Sequence, residues 1–256
     1  MNAVIYEQPL NERIRTLLRL EHLFQQASFR LSGENTLWDS RAALDVLLDI
    51  QNVLARNDVR SEALKELERH ATRLTGYERN PNVDTNALRD ILDELDGVID
   101  RLHAIDGQIG QKLKNNEFLN SIRQRSTIAG GSCGFDLPAY HYWLQQSPEQ
   151  RQRDLLAWHH EYDALHDAVC LILRIIRQST PPQPVCAEAG YYQQSLDTSI
   201  PYQLLRVFLP RDSGYFAEVS AGKHRFTIRF MRMPSMEQRP VQAEEDVDFH
   251  LACCVL

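Results

Sequence analysis

Residues 147–184 read SPEQRQRDLLAWHHEYDALHDAVCLILRIIRQSTPPQP. Leu155, Trp158, Tyr162, Leu165, Val169, Ile172 and Ile176 recur in steps of three and four. That spacing makes one apolar stripe on a helix. Ser147, Pro148 and Glu149 supply a cap, a first-turn proline and a first-turn acid. Pro181 and Pro182 end the helix, because the ring removes an amide donor and clashes with the turn before it. One long helix is expected, packed on another helix in the same bundle or in a partner subunit.

After Pro184 the period falls from 3.6 to 2. Leu205, Val207 and Leu209 alternate with Leu204, Arg206 and Phe208. His224, Phe226, Ile228 and Phe230 alternate with Lys223, Arg225, Thr227, Arg229 and Met231. Val247, Phe249, Leu251 and Cys253 alternate with Asp246, Asp248 and His250. Turn residues separate these runs at 210–214 and 221–222. An antiparallel sheet with one buried face is expected.

Upstream, helical spacing dominates the first 125 residues. Leu10, Ile14, Leu17, Leu20, Phe24, Ala27 and Leu31 form one stripe, opened by Pro9 or Asn11. Leu44, Leu47, Ile50 and Leu54 mark a second helix; Leu64, Leu67, Ala71 and Leu74 mark a third. Asp84 caps a fourth, through Leu88, Ile91, Leu95, Val98 and Leu102. A fifth runs through Leu113, Leu119 and Ile122 to about Arg125. Residues 126–146 carry Gly130-Gly131 and a β-leaning Ser126-Thr127-Ile128, and are expected to leave the bundle for the later sheet. Asp136-Leu137-Pro138 can cap a short helix through Tyr140 and Trp143. The fold class is therefore α+β, an N-terminal helical bundle domain with a smaller antiparallel β-domain. Residues 1–122 and 147–180 are assigned to the helical domain, and 123–146 and 181–256 to the β-domain.

Composition narrows the function classes. The chain has 256 residues, 43% hydrophobic and 25% charged, which suits an ordinary globular protein. It has no apolar run long enough for a membrane span, and its first 15 residues lack a signal-peptide layout, so a cytoplasmic protein is expected. The net charge of −7 argues against blanket attraction to nucleic acid. Cys133, Cys170, Cys186, Cys253 and Cys254 form no C-x-x-C pair and are odd in number, so they read as small buried hydrophobes rather than disulfides. Of the 28 basic residues only Lys65, Lys112, Lys114 and Lys223 are lysine; 24 are arginine. A guanidinium fork matches carboxylates in a way a lysine point charge does not, although codon usage explains the same bias.

Three catalytic patterns are weak. Gly130-x-Ser132-x-Gly134 matches a nucleophile elbow, but a helix must start at the last glycine and Phe-Asp-Leu-Pro follows instead. Cys133 with His141 is a conceivable thiol pair, yet a glycine turn explains the same residues without chemistry. His159, Asp163 and His166 share one helix face and could hold zinc, but they also sit where polar residues flank a packed seam. No catalytic residue, metal or cofactor is assigned. Binding patterns carry more. Arg15, Arg19, His22 and Gln26 line one side of the first helix. Arg225 and Arg229 share one face of a strand, with Arg206 a further candidate and Asp246 and Asp248 as internal partners across a hairpin. Arg123 and Arg125 add charge where the chain leaves the bundle. Capture of a carboxylate-bearing peptide fits this pattern. A single-stranded nucleic-acid binder using the sheet's arginines and aromatics is the alternative, and a thiol or metal hydrolase a distant third.

Several blocks resemble a known family. PLNERIRTLLRLEHL near the start, IRQRSTIAGGSCGFDLPAYHYWL in the middle, IRQST after the long helix, and GKHRFTIRFM with DFHLACC at the end resemble the ZapD family of bacterial cell-division proteins. The order and spacing cover nearly the whole chain; residues 33–105 match only in character. The resemblance implies a non-enzymatic cytoplasmic factor at the midcell division ring. It would bind the C-terminal tail of the tubulin-like protein FtsZ and, as a homodimer formed through the helical part, cross-link and bundle filaments, with no cofactor, nucleic acid or membrane insertion. It implies a helical domain plus a β-domain that receives the G-G-x-C segment, and a basic tail-binding surface near the junction of the two. Carried over by motif, that surface comprises Arg19, His141, Arg225 and Arg229, with Arg123 and Arg125 from the R-Q-R block. Glu117 departs from relatives that are basic there and implies a different tail sequence.

Overall fold

The first element is a strand, where the sequence suggested only the approach to a helix. In the computed structural model, which describes residues 2–255, β1 (Ala3–Pro9) is followed by α1 (Glu12–Leu31). The Asn11 side chain accepts from the Ile14 amide at 2.9 Å and so caps α1. The stripe Ile14, Leu17, Leu20, Phe24, Ala27 and Leu31 is buried as its spacing required.

Next come α2 (Leu37–Leu54), α3 (Val59–Thr75), α4 (Thr85–His103), α5 (Gln111–Lys114), α6 (Glu117–Ser126), α7 (Pro138–Leu144), α8 (Pro148–His160) and α9 (Asp163–Gln178). Local chemistry sets their starts. Thr36 and Asp39 form a capping box on α2, Asp58 caps α3 and Asp84 caps α4. Ser147 caps α8, with Pro148 in the first turn.

The expected long helix is two. Its seam is buried throughout except for half-buried Trp158, but the chain turns at Glu161–Tyr162, where the Tyr162 amide bonds the His159 carbonyl. The Tyr162 ring packs against Gly110, where an added Cβ would lie 2.8 Å from Cε1. Gly110 has φ 70°, so both its backbone and its lack of a side chain suit that contact.

Residues 123–146 are the main departure. Among the described residues they form no strand: α6 ends, a chain of turns passes through Gly130-Gly131, and α7 begins at Pro138. They cluster with the helical unit, residues 16–172. The glycines serve a turn; an added Cβ at Gly131 would sit 2.5 Å from the Arg125 carbonyl oxygen. Buried Arg151 stitches this unit together with neutral acceptors: Ser40 Oγ at 3.0 Å, the Asn35 carbonyl at 2.9 Å and the Leu144 carbonyl at 3.2 Å.

The second unit takes the residues up to Arg15 and those from Leu173 onward. It holds two antiparallel sheets where one was expected. One orders β1, β4 (Tyr202–Pro210), β8 (Val247–Val255) and β2 (Gln183–Ala187). The other orders β3 (Tyr191–Ser195), β6 (Arg225–Arg232) and β5 (Phe216–Ala221), with β7 (Val241–Gln242) also on β6. Leu205, Val207, Leu209, Phe249 and Leu251 of the first meet Phe226, Ile228 and Phe230 of the second in one core. The Phe230 and Phe249 ring centroids stand 4.9 Å apart. The period of 2 gave the core-facing side of β4, β6 and β8 but not their neighbours.

The cysteines depart from their reading as buried hydrophobes. Cys133, Cys170 and Cys186 are exposed, and none of the five is in a disulfide. Adjacent Cys253 and Cys254 do face opposite ways: Cys253 packs on the core between the sheets, and Cys254 is buried away from it. Burial pushes each thiol up to about 11.

One carboxylate ties this unit together. Glu7 on β1 accepts from Arg177 Nε at 2.9 Å and Nη2 at 2.7 Å, and from Arg206 Nε at 2.9 Å. The side chains of Glu7, Arg177 and Arg206 are 18%, 23% and 16% exposed. Leaving two guanidinium groups short of their acceptor in a mostly dehydrated place is costly. Glu7→Gln should therefore lower the unfolding free energy by about 2–3 kcal/mol, read as an earlier urea midpoint at unchanged slope. A loss under about 0.5 kcal/mol, the scale of a neutral surface change, would show that the triad does not hold the sheet.

Candidate partner-binding site

The basic residues singled out above sort by whether the fold already neutralises them. On β6, Arg225 and Arg229 stand four residues apart, both exposed, on the face opposite buried Phe226, Ile228 and Phe230. Their expected internal partners are not in reach by topology. Asp246 directly precedes β8 and Asp248 lies within it, and β8 belongs to the other sheet. The Asp246 carboxylate accepts instead from the Ala189 amide at 2.9 Å. Arg229 pairs with Glu218, directly opposite on β5, at 3.0 Å. Both side chains are about half exposed, so the pair is worth roughly 0.2–1 kcal/mol and leaves Arg229 available. Arg225 faces Ser195 across the ladder and has no ion-pair partner among the described residues. Arg206 drops out, because Glu7 holds it.

Arg19 lies on the exposed side of α1. Its neighbours on that stripe are occupied: Arg15 Nε bonds Glu12 at 3.0 Å, and His22 and Gln26 meet at 2.8 Å. Arg19 itself has no hydrogen-bond or ion-pair partner among the described residues. It is a guanidinium with its whole donor fork facing water.

Arg123, Arg125 and His141 belong to the helical unit. Arg123 is half-buried and donates to Asn120 Oδ1 at 2.9 Å. Arg125 stands 3.6 Å from Asp136, an ion pair across the glycine turn. His141, exposed on α7, lays its ring over Gly134, where an added Cβ would come within 3.2 Å of Cγ. The turn 130–136 thus brings Arg125 and His141 to one part of the surface. Arg123 is engaged locally.

The catalytic patterns find no constellation. The Ser132 hydroxyl accepts from Arg41 Nη2 at 2.5 Å, and α7 starts four residues after Gly134, so no elbow forms. Among the described residues no group of three or more His, Cys, Asp or Glu side chains could hold a metal ion. His159 and His166 flank the Phe24 ring, at 6.4 and 4.8 Å between centroids. His159 Nδ1 is 3.5 Å from Asp163. They border a packed seam. No helix of the described residues is long and apolar enough to cross a membrane.

Sequence reasoning passed over a set of exposed aromatics. Trp38 and Tyr142 are 71% and 70% exposed, and Phe135 is 85% exposed. Arg41 lies 5.2 Å over Trp38 and 5.5 Å over Tyr140. The signal available was position: Phe135 follows a glycine turn and Tyr142 lies on a short helix, both outside any apolar stripe.

Comparison with known proteins adds identity to this geometry. A family model described as ZapD, cell division protein, matches residues 18–229. The chain is 42% identical over 255 residues to the cell division protein ZapD of Methylococcus capsulatus, spanning 100% of this chain and 99% of that protein. It is 40% identical over 252 residues to cell division protein ZapD of Ralstonia pickettii, spanning 98% and 99%. It is 41% identical over 252 residues to the same-named protein of Ralstonia nicotianae, with the same coverage.

Burial holds the His159 imidazole below its ordinary range, against the opposing pull of Asp163. The native state therefore resists a proton that the unfolded chain accepts near pH 6.5. Stability from this group is present above that value and is lost as pH falls through it. His159→Gln should lose less stability than wild type between about pH 7.5 and about pH 5.5, measured by urea denaturation at each pH. Parallel losses would mean that His159 protonates as easily in the folded protein.

Proposed function

This chain belongs to the ZapD family of cell division proteins, and from that premise we propose that it binds the C-terminal tail of FtsZ and cross-links FtsZ filaments. In this reading it works as a homodimer at the midcell division ring, in the cytoplasm, and bundles filaments without catalysing a reaction. The observation that carries the reading is the presence of arginines that the fold leaves unspent. Arg19 and Arg225 are exposed with no internal carboxylate, and Arg229 has only a solvated one. A peptide tail bearing carboxylates meets such groups through charge-assisted, often bidentate hydrogen bonds. His141 and Arg125 extend the same chemistry around the glycine turn, and Arg123 serves as a supporting charge.

Each exposed ion pair is weak, about 0–1 kcal/mol. Binding of one tail is then modest, and two sites on one dimer supply the strength by avidity. A cross-linker built this way releases filaments readily, because either tail can leave before the other. The binding also depends on salt, since exposed charges are screened within about 10 Å at 0.1 M ionic strength.

Arg19→Glu and Arg225→Glu should each weaken binding of a fluorescent FtsZ tail peptide by about tenfold, a cost of about 1.4 kcal/mol. Arg229→Glu should cost less than Arg225→Glu, because Glu218 already shares its charge. Arg89→Glu, on exposed α4 surface, serves as the charge control. Fluorescence anisotropy at about 0.05 M and about 0.2 M salt reads all four. Equal, unchanged affinity in the Arg19 and Arg225 variants would remove these residues from tail binding.

A further inference from the structure

A cavity of about 630 Å³ opens where α2 ends and α3 begins, against the loop 107–110. All of its lining belongs to the helical unit. Arg56, Arg60, Lys114 and Arg123 reach it, and Asp58 is the one acidic residue in its wall. Arg60 is structural: it donates to the carbonyls of Gly107 at 2.8 Å and His103 at 3.2 Å. Asp58 is spent on capping, accepting from Ser61 Oγ at 2.6 Å. Lys114 touches Gln108 at 3.3 Å, while Arg56 is exposed with no ion-pair partner among the described residues. The wall is thus basic in excess of what the fold consumes.

Gln51 supplies the second, independent feature. It lines this cavity and is 7% exposed, yet neither its Nε2 nor its Oε1 has a hydrogen-bond partner among the described residues. The buried Tyr162 hydroxyl is likewise unpartnered; it lies near enough to Gln51 to feel its amide, but outside hydrogen-bond geometry. A small shift could join these two groups. It would use only part of the amide, which offers two donors and two acceptor lone pairs. A buried amide left short of partners is unfavourable, so a group that completes it is bound more tightly. The volume falls in the range of small-molecule sites, where a few polar groups fix a ligand's orientation.

We propose that this cavity is a binding site for a small organic phosphate, its phosphate held by Arg56 and Lys114 and its donor–acceptor edge by Gln51. The pairing of an unspent cation cluster with a buried amide edge selects the class. A bare inorganic anion would satisfy the cations alone, and an uncharged ligand the amide alone. The tail reading shares only Arg123 with this wall and uses neither Arg56, Lys114 nor Gln51, so the two readings are tested apart.

The test is a titration of the full-length protein, followed by isothermal calorimetry at constant ionic strength. The probes are inorganic phosphate and the four common ribonucleoside 5′-monophosphates, taken singly. At least one nucleoside monophosphate should bind saturably and at least tenfold more tightly than inorganic phosphate. Arg56→Ala should weaken that binding at least fivefold. Gln51→Leu should cut the preference over inorganic phosphate and leave phosphate binding itself unchanged. If Gln51→Leu unfolds, Gln51→Glu reads the same contact, because a carboxylate has no N–H to donate to the ligand's edge and should cut the same preference. Absence of saturable binding by every monophosphate overturns the proposal. So does equal binding of inorganic phosphate, or affinity indifferent to Arg56 and Gln51, the result expected if only water completes the amide.

Discussion

The Glu7 carboxylate, shared by Arg177 and Arg206, sets the terms for the strand-bearing unit. It fixes β1 beside β4, joins both to the last turn of α9, and does so with charged hydrogen bonds in a largely dry setting. Without β1, β4 would be an open edge of its sheet, with unpaired amides and carbonyls facing outward. The same contact decides a functional question. Arg206 sits in a strand with the look of a binding residue, and Glu7 removes it from the surface charge on offer.

That division of arginines into spent and unspent runs through the whole chain. Arg151 is buried among neutral acceptors and Arg60 clasps two carbonyls. Arg177 and Arg206 are held by Glu7. These are the fold's own uses of a planar, permanently charged donor. What is left over, Arg19 and Arg225 above all, has no structural task. Membership in the ZapD family gives such residues a setting, a role in cell division. In the proposed reading, weak contacts multiplied by valency take the place of one tight interface.

Much of this was legible in the sequence, for stated reasons. Stripes such as Ile14 to Leu31 and Leu155 to Ile176 bury as their spacing demands, because a helix offers one dry side. Asp84 and Ser147 cap where their side chains can reach orphan amides. The missed features depend on distant partners. β3 reads Tyr-Tyr-Gln-Gln-Ser and is a strand because β6 lies beside it. The break before Asp163 comes with Tyr162 packed on Gly110, some fifty residues upstream. The β-leaning 126–128 segment ends in turns because Gly130-Gly131 bends it toward α7. Of the candidate site, residue type and exposure were readable. The true internal partners, Glu7 for Arg206 and Glu218 for Arg229, required the strand order.

In the proposed reading, the unspent guanidinium groups recognise the anionic tails of FtsZ. The most direct measurement is co-sedimentation of this protein with polymerised FtsZ, comparing intact FtsZ with FtsZ lacking its C-terminal tail. Bundles and bound protein should pellet with intact filaments and fall to background when the tail is gone. Equal pelleting with tailless filaments would contradict that reading.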